Sequence, residues 1–558
     1  MIYLLFRKMI RAPEVIRTST SFHIVILAIL AAPWPRPAQA QVVKGVVWDT
    51  PSNYREAAQD LVEMHAVGVE AIRTGLILDE RILSIADSLG LIFYRELPFV
   101  RLASRALSDS LSQADSLVSL LLEGRLRHSS AGPIGLAQFS NTASERACIA
   151  LDRLAARIQG AGGQAYYSSH FIEDDLCSSR VDFVLIDGLD KSDPLALLAR
   201  WGAAHSTPAG FARVGVFVTD SAARGWERSG SPQFQARFFE DLLGELTAGS
   251  VSRIFVHRWR DQTRMGSLEA DLYGRKYGLY TREAEPRPAL QVVRGFFLGT
   301  QSMFAFQRAG PEEELFPWFL LLGWILLTMV AVMYTGSSPF RSMIPRYFFS
   351  HGFFRNTVRE AREVLPLTST AMLTLTGLSI GLIASFVLTE LKETSLARHL
   401  FFLLPDGGRV SVTSILDAPF VLAILMGSVA LVAMSLWMGL WMFVSGKRAP
   451  FLPSQALMLA VWPRWQVILL LPLAMTLASV DTVPTWSILL LAAAWIGTAY
   501  WSSIRTSYDL FKITSLPLGG AVVVWLLNPL ILGTMILLGW AAMNTDEMIY
   551  IWNLVVKS

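Results

Sequence analysis

The chain changes character at Phe316, and that change limits its folds more than any other feature. Before it, residues 41 to about 310 carry charges throughout; after it, apolar runs alternate with short polar breaks. A membrane-crossing helix needs about 20 apolar residues, because the hydrocarbon core is about 30 Å thick and a helix rises about 1.5 Å per residue. Six stretches read as spans: 316–335, 369–390, 418–445, 464–480, 484–501 and 517–543. The fourth and fifth are short and joined at "SVDTVPT", which reads as a helical hairpin. The expected organisation is a signal peptide (1–40), a soluble domain (41–305), a linker (306–315), a six-helix transmembrane domain (316–543) and a tail (544–558).

The N-terminus has the pattern of an export signal. Arg7, Lys8, Arg11 and Arg17 precede the apolar "IVILAILAA" (Ile24–Ala32), and Ala38-Gln39-Ala40 offers a small-x-small cleavage site. An uncleaved anchor helix is the other reading, and a start at Met9 would shorten the long basic region. With the soluble half outside, the inner loops carry ten cations: Arg341, Arg346, Arg355, Arg359, Arg362, Lys447, Arg448, Arg464, Arg505 and Lys512. The outer loops carry only Lys392, Arg398, Arg409 and Lys557. Positive charge collects on the cytoplasmic side, so the expectation is a multi-pass protein of a bacterial inner membrane with its soluble half periplasmic. Polar residues inside the spans are Thr374, Thr376, Ser379, Ser385, Ser428, Ser435, Thr498 and Asn528. Such residues serve helix packing more often than a substrate path, which favours an anchor or interaction module over a transporter. The arrangement is loosely similar to Yip-type bacterial membrane domains.

Between Val42 and Thr300, strand and helix patterns alternate. The strand candidates are "VVKGVVW", "VEAIR", "LIFYRE", "PIGLAQF", "GQAYYS", "VDFVLI", "RVGVFVT" and "SRIFVHRW". Eight such units match a (β/α)8 barrel of the TIM type, giving the fold class α/β barrel followed by an all-α membrane domain. An open doubly wound sheet would want a Gly-rich phosphate turn after an early strand, and none is present. Net charge of +3 and the lack of a basic cluster with interleaved aromatics argue against nucleic acid. No His or carboxylate spacing suggests a metal, and no cofactor is expected. Cys148 and Cys177 lie in the exported half, where a disulfide is permitted; two buried free thiols are the alternative.

In such barrels the chemistry gathers at the C-terminal ends of the strands. There the sequence places Trp48, Arg73, Glu96, Asn141, Thr142, Asp187, Asp220, His257, Trp259 and Asp261. Carboxylates, an arginine and aromatics around one mouth would suit a sugar, with rings stacking on pyranose faces and carboxylates binding hydroxyls.

The run Asn53–Phe99 resembles the start of a glycoside hydrolase family 2-type catalytic barrel, as in β-galactosidase and β-glucuronidase relatives. "IFVHRWRDQ" (Ile254–Gln262) and "YGLYTREAEPRPALQVVRGFF" (Tyr277–Phe297) are similar to that family's closing segments, and "SPQFQARFF" to the helix after its seventh strand. The resemblance implies a retaining glycosidase with two carboxyls about 5–5.5 Å apart. Carried over by position, Asn141 matches the Asn that precedes the family's acid/base Glu, and that Glu falls on Thr142. A threonine hydroxyl cannot act as a general acid of suitable pKa. The nucleophile falls on Asp220, one methylene shorter than the family's Glu. Arg73 matches the arginine that supports the nucleophile and Glu96 a third-strand glutamate; a structural ion pair is the other reading of both. His257 stands where a sugar-platform Trp is usual, while Trp259 and Asp261 keep their types.

Three functions follow as expectations. The first is a membrane-anchored, degenerate glycosidase-like barrel that binds a carbohydrate or envelope partner. The second is an active glycosidase hydrolysing O-glycosyl bonds with relocated carboxylates such as Asp220, Glu96 or Asp187. The third is a transport or envelope-assembly component with the barrel as its docking domain. The partners implied are a glycan, the lipid bilayer and an envelope protein.

Overall fold

A computed structural model describes residues 42–219, 225–246, 251–261, 275–308, 316–362, 364–392, 394–445, 452–480, 483–514 and 517–557. The expected export signal and the nucleophile candidate Asp220 lie outside the described residues.

Eight parallel strands close into a barrel in sequence order: β1 (Val43–Val47), β2 (Ala71–Thr74), β3 (Ile92–Glu96), β4 (Ala131–Gln138), β5 (Ala165–Ser169), β6 (Phe183–Leu189), β7 (Ala209–Gly215) and β8 (Arg253–Val256). The helices around it are α1 (Tyr54–Val67), α2 (Glu80–Leu89), α3 (Ser104–Asp109), α4 (Leu111–Arg127), α5 (Glu145–Gly160), α6 (Pro194–Ala204), α7 (Pro232–Leu246) and α8 (Pro288–Leu298). Local chemistry sets their ends. The Asn53 side chain accepts from Arg55 N at 3.0 Å at the start of α1, and Gly68 (φ 88°) stops it in the left-handed region that glycine alone enters freely. The barrel interior is packed with rings, not hollow: Tyr166 stacks on Phe183 at 5.0 Å and Tyr94 meets Phe255 at 5.0 Å.

One strand departs from expectation. The sequence pattern places the seventh strand over "RVGVFVT", but β7 runs four residues earlier, over "AGFARVG", with Asp187 paired in register to Arg213. The expected strand begins at Arg213, which lies instead within the second half of β7. Arg213 is tolerated there because it donates from Nε and Nη2 to the two oxygens of Asp187, both at 2.8 Å. In sequence, Asp220 is five positions beyond the last residue of β7.

The second half is helical: α9 (Trp318–Gly336), α10 (Ser338–Phe349), α11 (His351–Arg359), α12 (Pro366–Leu391), α13 (Ser395–Phe402), α14 (Asp406–Leu416), α15 (Pro419–Ser445), α16 (Pro453–Val461), α17 (Leu471–Ala478), α18 (Thr485–Thr514), α19 (Leu518–Leu526), α20 (Pro529–Met543) and α21 (Thr545–Val556). Five segments are long and apolar enough to cross a membrane, the fourth of them joining α16 to α17 over Pro453–Ala478. A sixth counts only if α19 and α20, bent by 72° at Asn528–Pro529, are one span. The expected boundaries 464–480 and 484–501 both fall short of the helices present. α12 and α15 approach at Gly377, Gly381 and Gly427, where an added methyl would strike the facing helix, as small residues permit in membrane bundles.

The last helix, α21, does not extend into space. It packs on α13 and on α3, and so rests against the C-terminal face of the barrel.

Candidate functional site at the barrel mouth

Each strand end delivers a polar side chain, and nearly all are bound to one another. Arg73 at the end of β2 donates from Nε to Glu96 at the end of β3 at 2.8 Å, and from its terminal nitrogens to Ala212 O (3.1 Å) and Ser168 Oγ (3.3 Å). Tyr166 adds its hydroxyl to the same Glu96 oxygen at 3.3 Å. Asp49, one residue beyond Trp48, pairs with Arg258 at 2.5 Å, and burial pushes its carboxyl up despite Arg258 and Arg73 nearby. Asp187 is clamped by Arg213; against the upward push of burial, that guanidinium holds it well below the usual carboxylate range. Asp261 is fixed by Arg287 and by Gly278 N at 2.7 Å.

Thr142, where the resemblance expected the acid/base, lies just past β4. Thr142 is fully buried and its hydroxyl donates to Asp175 Oδ2 at 2.6 Å. Asp175 also accepts from Ser169 Oγ (2.7 Å), Tyr167 OH (2.5 Å) and Cys177 N (2.9 Å). Burial pushes Asp175 up and these donors pull it back, leaving it raised. Both oxygens are engaged from within the chain, so this carboxyl is not offered to a substrate. Cys148 and Cys177 form a disulfide, Cα atoms 4.7 Å apart, tying α5 to the segment that carries Asp175. The end of β4 is thus cross-braced to the segment after β5.

The aromatic candidates are not platforms. Trp48 (2% exposed) donates from its indole N–H to Asp60 Oδ2 at 3.0 Å and stacks on Phe93, and Trp259 (0%) lies against Tyr280. Neither presents a ring face that a sugar could cover. His257 is buried beside Tyr277 and its ring nitrogens have no hydrogen-bond partner among the described residues; burial, with Arg258 and Arg213 nearby, keeps it neutral.

Asn141 was expected to face ligand, and it faces the chain's own C-terminus instead. Its Nδ2 donates to Ser104 Oγ (3.2 Å) and its Oδ1 accepts from Asn553 Nδ2 on α21 (3.1 Å). Beside it, the Tyr550 hydroxyl donates to Phe139 O, and Tyr550 and Leu554 pack with Ala103, Ala143 and Phe171. Asp546 accepts from Arg105 N at 2.6 Å, Glu547 pairs with buried His399 at 2.5 Å, and Arg398 reaches Asp190 at 3.4 Å.

A cavity of about 540 Å³ remains under this cover, walled by Ser169, His170, Asp187, Asp190, Lys191 and Arg398. His170 stacks on Phe139 at 4.5 Å, and burial with Arg101 nearby keeps it neutral, its Nε2 without a hydrogen-bond partner. Of these residues the sequence pointed only to Asp187. His170 and Lys191 follow strands β5 and β6 and could have been found as strand-end residues; Arg398 comes from another half of the chain, and no local signal leads to it. Among the described residues, no three His, Cys, Asp or Glu side chains converge as a metal would require.

The sequence matches no protein-family model and no curated protein. Among solved structures it is similar to a GH2 β-galacturonidase from Eisenbergiella tayi, with 15% identity and a TM-score of 0.42 over 48% of this chain and 53% of that one. It is similar also to a β-glucuronidase from an uncultured Clostridium species (15% identity, TM-score 0.41, 46% of this chain and 50% of that one). A third is the β-D-glucuronidase of Dictyoglomus thermophilum (16% identity, TM-score 0.41, 48% and 52%). The chain spans about half the length of each.

Proposed function

We propose that this protein is a membrane-anchored, glycoside-hydrolase-like barrel that does not cleave glycosides. Its mouth binds a small carbohydrate or an envelope partner under a cover built from its own membrane half. The supporting observation is the state of the carboxylates: Asp49, Glu96, Asp187 and Asp261 each pair with a buried arginine, and Asp175 is held by four donors. Glycoside hydrolysis needs one carboxyl free to attack or activate water and another free to give up a proton. A pocket of about 540 Å³ is of ligand-binding size, within the usual range of about 300–1,000 Å³.

In this reading the chain crosses the membrane six times. α13 and α21 both touch the barrel mouth, so they lie on the barrel's side of the bilayer. α9 leaves that side, α12 returns to it, α15 leaves, Pro453–Ala478 returns and α18 leaves. Only if the bent pair α19–α20 crosses once more does α21 arrive at the mouth. Contacts at the other end agree: Asp509 near the end of α18 meets His351 at 2.8 Å, and Gln455 donates to Val358 O at 2.6 Å. Those segments hold most of the loop arginines, which supports a reading with them in the cytoplasm and the barrel outside.

The test is a panel of aryl-glycosides given to the full-length protein in detergent, beside an Asp220→Asn variant. We expect no turnover above background; hydrolysis abolished by Asp220→Asn overturns the proposal. Crossing number is tested separately by labelling a cysteine introduced at Ser558 and one at Ser350 from outside intact cells. We expect labelling at Ser558 alone.

A further inference from the structure

Among the described residues of the membrane half, Arg464 is a buried cation that the fold does not neutralise. Arg464 opens the second piece of the fourth span and is 9% exposed. The sequence pattern assigns it to a loop, yet it lies between helices. Its guanidinium bonds only from Nη1, to Ala460 O and to Thr506 Oγ1 (3.2 Å), and its plane lies over Trp437 at 4.8 Å. No carboxylate pairs with it among the described residues. A charge in hydrocarbon without a counter-charge is costly, and such residues mark ligand paths more often than scaffolding.

Arg464 faces a cavity of about 280 Å³, and a second positive element converges there independently. The cavity reaches Asn528, Pro529 and Leu530, the break from which α20 begins. The first turn of a helix has unpaired N–H groups and the positive end of its dipole. Here Pro529 supplies no N–H and Asn528 caps the next, its Oδ1 accepting from Leu530 N at 3.0 Å. That leaves the positive end of the dipole and the amide N–H groups of Asn528 itself on offer. Broken spans whose half-helix starts point at an anion recur in membrane proteins. The rest of the wall is apolar, with Ile380, Met434, Val467 and Trp495.

We propose that this cavity binds an anionic phospholipid from the leaflet away from the barrel. Its phosphate would sit between Arg464 and the start of α20, and an acyl chain would lie along the apolar wall. The depth supports this occupant. Thr506, which Arg464 touches, is three residues from Asp509, where His351, Arg355 and Arg505 gather at the polar end of α18. The cavity is therefore close below that headgroup region. The inference rests on the crossing of a bilayer by these helices, which the labelling experiment above tests on its own, and it does not depend on what the barrel binds.

The experiment uses full-length protein in a neutral detergent, mixed with phosphatidylglycerol, phosphatidylcholine or inorganic phosphate. Bound lipid is read by native mass spectrometry and stabilisation by the shift in Tm. We expect phosphatidylglycerol to be retained and to raise Tm, phosphatidylcholine to do so much less, and inorganic phosphate not to compete. Arg464→Gln should weaken retention about tenfold or more, the loss expected for a charge-assisted contact. Ala433→Trp, which fills the cavity and keeps the arginine, should do the same. Equal retention of both lipids by the wild type overturns the proposal, as does displacement by inorganic phosphate, which would make the ligand a free anion. Undiminished phosphatidylglycerol binding by either variant, folded by circular dichroism, also overturns it.

Discussion

Four buried arginines at the barrel mouth and one in the helical half are treated in opposite ways. In the barrel mouth Arg73, Arg213, Arg258 and Arg287 each meet a carboxylate. In the helical half Arg464 meets a carbonyl, a hydroxyl and an indole face. A buried pair is a settled structure, because desolvation of both charges is offset locally. A buried cation with only neutral partners keeps most of its attraction for an anion. The four mouth pairs thus have fixed electrostatics, while Arg464 in the helical half has the open valence.

The comparison breaks most visibly if one partner of a mouth pair is removed. Arg213→Ala would leave Asp187 charged and buried, and we expect a loss of about 3–5 kcal/mol in the barrel's unfolding free energy. Replacing both, as Arg213→Met with Asp187→Leu, should recover most of it, since no charge is orphaned. Arg464→Gln orphans no carboxylate and should cost no more than about 1 kcal/mol. Denaturant unfolding followed by barrel tryptophan fluorescence separates these cases. An equal cost at Arg213 and Arg464 would erase the distinction.

The disulfide comes next. Cys148 and Cys177 are 29 residues apart, and in the chain-entropy account closing such a loop is worth about 3–4 kcal/mol. Cys148→Ser with Cys177→Ser should lower stability by roughly that amount and free the segment carrying Asp175. Hydrogen exchange should then rise at Thr142 and Ser169. Exchange that rises only in α5 would show that the hydrogen bonds to Asp175, not the disulfide, hold the brace.

The cover over the mouth is a smaller effect. Tyr550→Phe and Asn553→Ala each remove one hydrogen bond to the barrel, worth about 0.5–1.5 kcal/mol. Both should raise exchange in α21 and around Asn141 without moving the barrel's unfolding midpoint. A midpoint shift as large as that of the disulfide variant would make α21 part of the barrel core.

The barrel was legible because buried parallel strands alternating with amphipathic helices leave a periodic trace, and seven of eight strands fall where that trace puts them. The eighth, β7, starts four residues earlier than its pattern and so buries Arg213 mid-strand, which depends on an aspartate 26 positions away that no local pattern reveals. Trp48 and Trp259 were read as sugar platforms from position alone; their burial is set by Phe93 and Tyr280, partners distant in sequence. The residues 545–556 read as a tail because a short helix shows its purpose only through what it packs against, and Asn141 lies 412 positions upstream of Asn553. Arg464 was counted among loop charges for a similar reason. A Pro-rich break at "WPRW" looks like a span boundary, whereas the chain continues through it as a turn of tighter helix between α16 and α17.

The smallest effect contrasts the two ends of the barrel. At the end opposite the mouth, Asp87 in α2 clasps the entry to β4: His128 Nδ1 lies 2.7 Å from Oδ2, and Ser129 Oγ (3.0 Å) and Ser130 N (2.6 Å) donate to Oδ1. Burial pushes this carboxyl up, but the bonds from His128, Ser130 and Ser129 outweigh it and hold it down to about 2. A carboxyl with a depressed folded-state pKa contributes stability that is whole above its unfolded value, near 3.8, and fades as pH falls toward about 2. The wild type should therefore exceed Asp87→Asn in stability at pH 5, and the gap should close between pH 4 and pH 2. Asp175 at the mouth has the opposite shift, so Asp175→Asn should show no closing of that kind as pH falls. Unfolding curves across this range distinguish the two ends. A gap for Asp87→Asn that persists unchanged to pH 2 would mean that shape, and not ionisation, holds the clasp.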